Sequence, residues 1–230
     1  MDQPTEKMKK NAALRAVEMV EDGMILGLGS GSTVLHFLKF LSARIGEEEL
    51  DVTGIPTSKQ TERVARELGI PLGTLQDYPE IDLDVDGADE VDPELNVIKG
   101  GGGAHVREKI VAKASRSLVI IVDETKLSLK LGCKSPVPLE VVPMAVPVVA
   151  REVESMGVSS TLRGSNDNPF VTDNGNYIID CKFPGIDDPP EVERRLKLIT
   201  GVVDSGIFSD MVDAVVVGTL HGSEVRRARN

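Results

Sequence analysis

Apolar positions along the chain recur with two periods, one helical and one strand-like, and the two take turns. Residues Thr5 to Asp22 place Ala13, Ala16, Val17 and Val20 on one side, a helix that Gly23 ends. MILGLG (24–29) reads as a short buried strand, and VLHFLKFLSARI (34–45), apolar at 34, 35, 37, 38 and 41, as a helix. DVTGIPTS (51–58) is a second strand, followed by the helix SKQTERVARELG (58–69) with Val64, Ala65 and Leu68 inward and Gly69 at its end. Strands at 81–85 and 95–98, a helix over 104–115 and the apolar strand SLVIIVDETK (117–126) continue the series. Strand alternating with helix predicts an α/β fold, a doubly wound, mostly parallel Rossmann-like sheet.

From about Leu131 the order changes. Strand 137–143, helix 145–157, strands 158–164 and 176–183, helix 189–201 and strand 202–208 give β-α-β-β-α-β, the order of a ferredoxin-like α+β insert. AVVVG (214–218) then returns to the large sheet. The predicted organisation is a large domain of residues 1–131 and 208–230 with a small domain of 132–207. The small domain shows no convergent polar cluster of its own, so it reads as an insert that shapes a crevice or an oligomer contact.

Charge and composition narrow the function classes. Lys and Arg number 26 against 37 Asp and Glu, a net charge of −11, so no nucleic-acid backbone is expected as a partner. The basic end RRAR (226–229) reads as a solvated terminus. No apolar run approaches the roughly eighteen residues of a membrane span, and no signal-peptide core precedes Glu18, Glu21 and Asp22, so a soluble cytoplasmic protein without a membrane partner is expected. Cys133 and Cys181 are too few for a disulfide framework, and His36, His105 and His221 are too scattered for a zinc site or a Ser-His-Asp triad. Neither a metal nor a cofactor is expected.

The chemistry concentrates in Asp86 to Lys109, DGADEVDPELNVIKGGGGAHVREK. Asp86 and Asp89 follow the 81–85 strand, at the carboxyl edge where open α/β sheets bind ligands. Lys99 ends the next strand beside Gly100, Gly101, Gly102 and Gly103, whose missing side chains let backbone N–H groups approach a ligand oxygen. Glu108 falls in the second turn of the helix that follows. A lysine, a glutamate and two aspartates are thus expected to meet at one glycine-lined crevice. Taken singly, each piece has a plainer reading: DGADE as an exposed turn, the glycines as a hinge, and Glu108 with Lys109 and Lys113 as a solvated helix face. Order and proximity make the combination far more specific than its parts.

A second glycine loop, GLGSGST (27–33), lies between the first strand and its helix. There backbone N–H groups and the positive end of the helix can hold a phosphate, with Ser30, Ser32 and Thr33 as hydroxyl donors around Gly31. Ser32 occupies the third glycine position of GxGxxG and no lysine follows as in a Walker loop, so one phosphate suits it better than a dinucleotide.

GLGSGST, DGADEVD and KGGGGAHVREK together resemble the signature segments of type A ribose-5-phosphate isomerase. The resemblance runs from about Lys9 to the end of the chain through VPLEVVPMA (137–145), VTDNGNYIID (171–180) and ITGVVDSGIF (199–208), with Ser30 where the family commonly has threonine. It implies interconversion of D-ribose 5-phosphate and D-ribulose 5-phosphate in the non-oxidative pentose phosphate pathway, by a homodimer or homotetramer. It implies Glu108 as the base that moves a proton between C2 and C1, Lys99 with the loop N–H groups as oxyanion stabilisers, Asp86 in ring opening and Asp89 orienting hydroxyls. Gly87, Ala88 and Gly100 to Gly102 would line the substrate, and Lys9, Ser32, Thr33 and Lys126 would hold its phosphate. Other classes remain: a non-catalytic sugar-phosphate sensor, or a deaminase or acyl-CoA transferase on a related scaffold.

Overall fold

The computed structural model describes residues 3–228. In chain order its elements are α1 (Gln3–Val17), β1 (Ile25–Leu28), α2 (Ser32–Glu48), β2 (Thr53–Pro56), α3 (Lys59–Glu67), β3 (Leu83–Asp86), β4 (Glu90–Val91) and β5 (Val97–Ile98). There follow α4 (His105–Ala114), β6 (Leu118–Asp123), β7 (Val137–Val141), α5 (Val146–Ser155), β8 (Ser159–Leu162) and β9 (Tyr177–Lys182). The chain closes with α6 (Pro189–Lys197), β10 (Val202–Ser205), β11 (Ile207–Phe208), β12 (Ala214–Thr219) and β13 (Gly222–Arg227). They form two compact units, one of Met1–Ala88, Arg107–Lys126 and Met211–Asn230, the other of Asp89–Val106 and Leu127–Asp210.

The first unit is built on a sheet of order β13-β12-β6-β3-β1-β2, parallel except for the antiparallel edge strand β13. Its middle strand β6, LVIIVD, is buried at every position, as a parallel strand covered on both faces must be. The core gathers Ala12, Ala13 and Ala16 of α1, Phe37, Leu38 and Leu41 of α2, and Leu26, Leu28, Val85, Val119 and Val216 of the sheet. Gly218 is required at the crossing of α1 and β12, since a Cβ there would lie 1.9 Å from the Met8 carbonyl oxygen. Ser58 starts α3 by accepting from the Thr61 N–H at 3.0 Å, and Gly69, at φ +71°, follows its end.

The second unit contains a four-stranded antiparallel sheet of order β10-β7-β9-β8. With α5 between β7 and β8 and α6 between β9 and β10, this is the expected ferredoxin-like unit. Val137, Leu139 and Val141 of β7, Ile179 and Cys181 of β9, Val149 and Val153 of α5 and Leu196 of α6 form its core. Asp188 caps α6 by accepting from the Glu191 N–H at 3.1 Å, with Pro189 and Pro190 in the first turn.

Several boundaries differ from those read off the sequence. The first helix ends at Val17 rather than Asp22, and its last N–H groups close tighter turns, Met19 to Ala16 and Val20 to Val17. The strand predicted from Leu95 starts at Val97, because the buried Asp92 takes the Asn96 N–H at 2.8 Å and its side-chain amide at 2.9 Å, holding Leu95 at φ +66°. VVDSGIF is two strands rather than one. A Cβ at Gly206 would lie 2.2 Å from the Lys99 carbonyl oxygen, and past this point the chain leaves β10 for a separate three-stranded sheet, β11-β5-β4. That sheet also explains why residues 89–106 group with the small unit: β4 pairs with β5, and β5 pairs with β11, more than a hundred residues on. The basic end is not simply a solvated tail, since Arg226 and Arg227 belong to β13; Arg229 lies outside the described residues. Among the described residues no helix is long and apolar enough to cross a membrane.

Candidate active site

In the first unit β1 has β2 on one side and β3 on the other, so the sheet changes direction between β1 and β3, the point at which doubly wound sheets open a crevice. The loops that leave these two strands are joined there. Asp86, fully buried, accepts from the Ser30 N–H at 2.9 Å and the Gly87 N–H at 2.7 Å through one oxygen, Oδ1. Gly29 allows this approach, because a Cβ on it would lie 2.2 Å from that same oxygen and 2.5 Å from the Asp86 Cα. Gly31 stands at φ +109° ahead of α2 and provides no side-chain cap to its first N–H groups, with Ser32 exposed and Thr33 buried in the first turn.

The hydroxyl of Ser30 is held by residues the sequence reading did not single out. Its Oγ lies 2.9 Å from Thr57 Oγ1, 2.8 Å from Ser58 Oγ and 3.1 Å from Thr61 Oγ1, and Thr61 donates in turn to the Gly29 carbonyl at 2.8 Å. The signal was present in the cluster Thr57, Ser58 and Thr61, but it reads equally well as an ordinary helix cap.

Three charged residues singled out in the sequence also belong to this unit. Lys9, buried on α1, donates to Glu6 at 3.0 Å, and the other Glu6 oxygen meets His36 Nε2 at 3.0 Å. The hydrogen bond from Lys9, then that from His36, holds the Glu6 carboxyl below the usual carboxylate range. Lys126 closes a single helical turn after β6, where the buried Asp123 accepts from the Thr125 N–H at 3.1 Å. Glu108 is 4% exposed and lies in the first turn of α4, not the second, because the helix starts at His105.

In the second unit the glycine run is a set turn rather than a hinge. Its Gly103 N–H donates to the Gly100 carbonyl at 2.9 Å, and Gly100 and Gly103 stand at φ +97° and +81°. A Cβ at Gly100 would meet His105 and Pro138 within 2.8 Å, and one at Gly103 would meet the Phe170 ring at 2.5 Å. Asp89 Oδ2 accepts from the Gly101 N–H at 2.7 Å. Lys99, 2% exposed, has its ammonium 5.6 Å from the centre of the Phe208 ring and its N–H on the Gly206 carbonyl at 2.8 Å.

The small sheet also carries polar clusters that its sequence did not reveal. Arg163 pairs with Asp180 through two hydrogen bonds and reaches the glycine turn, and Glu140 Oε1 gathers Thr172, Asn174 and Asn176 at 3.1, 3.0 and 2.7 Å. Arg163 meets Asp180 because β8, which it follows, pairs with β9, and Thr172, Asn174 and Asn176 meet Glu140 of β7 through the turn that precedes β9.

A family model described as ribose 5-phosphate isomerase A (phosphoriboisomerase A) matches residues 53–222. The chain belongs to the ribose 5-phosphate isomerase A family. A curated ribose-5-phosphate isomerase A of Methanothermobacter thermautotrophicus is 49% identical over 222 residues, 96% of this chain and 97% of that one. A coverage of 96% necessarily includes the GLGSGST loop, which the family model leaves out. The solved ribose 5-phosphate isomerase A of Methanocaldococcus jannaschii shares 46% identity and superposes with a TM-score of 0.92 over 97% of this chain and 99% of its own. A solved D-ribose-5-phosphate isomerase in complex with phospho-erythronic acid is 44% identical, with a TM-score of 0.94 over 99% of this chain and all of that one. The family's mostly parallel sheet and α+β insert are therefore the architecture of this chain as well.

Proposed function

We propose that this chain interconverts D-ribose 5-phosphate and D-ribulose 5-phosphate, with Glu108 as the single base. Carried to completion, the reaction moves one proton from C2 to C1 and another from O2 to O1. Glu108 removes the C2 proton, the electron pair left behind forms the C1–C2 double bond, and O1 of the aldehyde becomes the oxyanion of an enediolate. The same carboxyl returns its proton to C1, the O2 hydroxyl proton passes to O1, and O2 becomes the ketone. Lys99 and the N–H groups of the glycine turn stabilise the oxyanion. Asp86 accepts and returns the proton in ring opening, and Asp89 orients the substrate hydroxyls.

The phosphate is taken by the first turn of α2 with Gly31, Ser32 and Thr33, and Lys9 and Lys126 supply positive charge in a chain of net charge −11. Binding energy at this remote group fixes the reacting carbons. The protein works in the cytoplasm as a homodimer or homotetramer, which light scattering on purified material tests directly.

The observation that carries this reading is family membership along nearly the whole chain, with Asp86, Asp89, Lys99 and Glu108 all present in the motifs. The ligand of the solved relative adds chemical sense, because phospho-erythronic acid is a sugar-acid phosphate whose planar carboxylate resembles the paired oxygens of an enediolate. The test is conversion of ribose 5-phosphate with EDTA present, in wild type and Glu108→Gln. Wild type turns over, and the variant loses roughly 10²–10⁴ in kcat with little change in KM. A folded wild type that binds the sugar phosphate without converting it would make the chain a sensor instead.

A further inference from the structure

Arg163 directly follows β8, far in sequence from any signature motif, yet its guanidinium is committed on every side. Its Nε donates to Asp180 Oδ2 at 2.9 Å and its Nη2 to Oδ1 at 2.5 Å, a paired contact with the neighbouring strand β9. Its Nη1 donates to the carbonyls of Gly100 at 3.0 Å and Gly101 at 3.1 Å. The face of the group lies 5.7 Å from the centre of the Phe170 ring, the ring that Gly103 leaves room for.

The consequence follows from peptide geometry. In a trans peptide the C=O and the next N–H point in opposite directions. Drawing the Gly100 and Gly101 carbonyls to one nitrogen therefore turns the Gly101 and Gly102 N–H groups away from Arg163. The Gly101 N–H is already used in this way, since it meets the Asp89 carboxylate at 2.7 Å. By the same geometry the Gly102 N–H points away from Arg163 as well. Asp180 neutralises most of the arginine's charge, leaving geometry as its main contribution at the turn.

We propose that Arg163 is a positioning residue for the isomerisation, fixing the glycine turn so that one amide orients Asp89 and the next faces the reacting oxygens. This rests on the reading above that Asp89 and the turn meet the substrate. Lysine cannot substitute, because a single ammonium cannot hold Asp180 by two parallel bonds and also span two carbonyls.

The test measures kcat and KM on ribose 5-phosphate for Arg163→Ala, Arg163→Lys and Asp89→Asn, with circular dichroism to confirm folding. The expected result for both Arg163 variants is a kcat loss on the order of 10²-fold, the usual cost of an ångström-scale misplacement, with KM within about 3-fold. Added guanidinium ion should restore at least roughly tenfold of the rate in Arg163→Ala and none in Asp89→Asn. If Asp89→Asn loses activity while the Arg163 variants keep theirs, or raise only KM, the positioning role is wrong and the site reading stands. If Asp89→Asn keeps full kcat, the site reading fails and takes this proposal with it. Should the Arg163 variants not fold, Asp180→Asn decides: removing one arm of the clamp is expected to lower kcat several-fold, and an unchanged kcat overturns the proposal.

Discussion

On the proposed reading the two glycine loops solve the same problem, bringing backbone amides to a ligand, by different means. In GLGSGST the need for glycine comes from carboxylates of the neighbouring strand β3, because Gly29 makes room for Asp86 and Gly27 for Asp84. In KGGGG it comes mostly from the scaffold, since His105, Pro138, Phe170 and Ile178 occupy the space a side chain would need at Gly100 and Gly103, and only Gly101 makes room for a carboxylate, that of Asp89. The first loop presents the start of a helix, the second a turn whose peptides are held from behind by Arg163. A loop that holds a phosphate needs only field and amides. One that serves a developing oxyanion, as proposed for the second loop, needs its amides aimed, and Arg163 on the Gly100 and Gly101 carbonyls is the brace for that.

Substitutions at the two loops break this comparison apart. Gly29→Ala is expected to be the more damaging, because its Cβ would meet the Asp86 backbone as well as its carboxylate, at 2.5 and 2.2 Å. Asp86 has to move, and steady-state assays should show kcat down on the order of 10²-fold. Gly103→Ala meets the rim of a half-exposed phenylalanine ring that can swing aside, so its cost is mostly the positive φ. Thermal melts should show a loss of about 1–3 kcal/mol, with a smaller kcat effect than Gly29→Ala.

Thr33→Ala probes the first loop without touching its glycines. A phosphate hydrogen bond made equally in ground and transition states costs about 1–1.5 kcal/mol, so KM should rise roughly tenfold with kcat within about twofold. A fall in kcat instead would blur the division between a binding loop and a chemical one.

The smallest effect separates the two thiols, both in the second unit. Burial, with Asp180 nearby, pushes the Cys181 thiol up to about 12, whereas Cys133 is exposed. At pH 8 iodoacetamide should modify Cys133 alone, and mass spectrometry should find Cys181 labelled only after unfolding. Early labelling of Cys181 in Gly103→Ala would show that the second loop props up the small core as well as the chemistry.

Much of this was legible in the sequence, for local reasons. The β-α alternation of residues 24–126 and the six elements of the insert announce themselves because each buries one face with its own period. Asp86, Asp89, Lys99 and Glu108 were legible because they sit within one short stretch. What stayed hidden depends on pairing across distance. β4 and β11 are two residues long, too short to show a period, and exist only because β5 lies between them. Arg163 and Asp180 look like ordinary surface charges until β8 pairs with β9. The hydroxyls of Thr57, Ser58 and Thr61 look like a helix cap until the loop after β1 arrives beside them.

The order in which the chain is synthesised gives the segment division a further meaning. The second unit is complete once Asp210 has been made, although it begins 88 residues after the start of the first. The first unit must wait for the last twenty residues, because β12 inserts between β6 and β13 and brings Ala214 and Val216 into a core that α1 entered at the outset. On the ribosome, then, the insert can acquire its structure while the sheet that carries Asp86 is still open along β6. Until β12 is made, β6 stands as an open sheet edge, the kind of surface that quality control recognises.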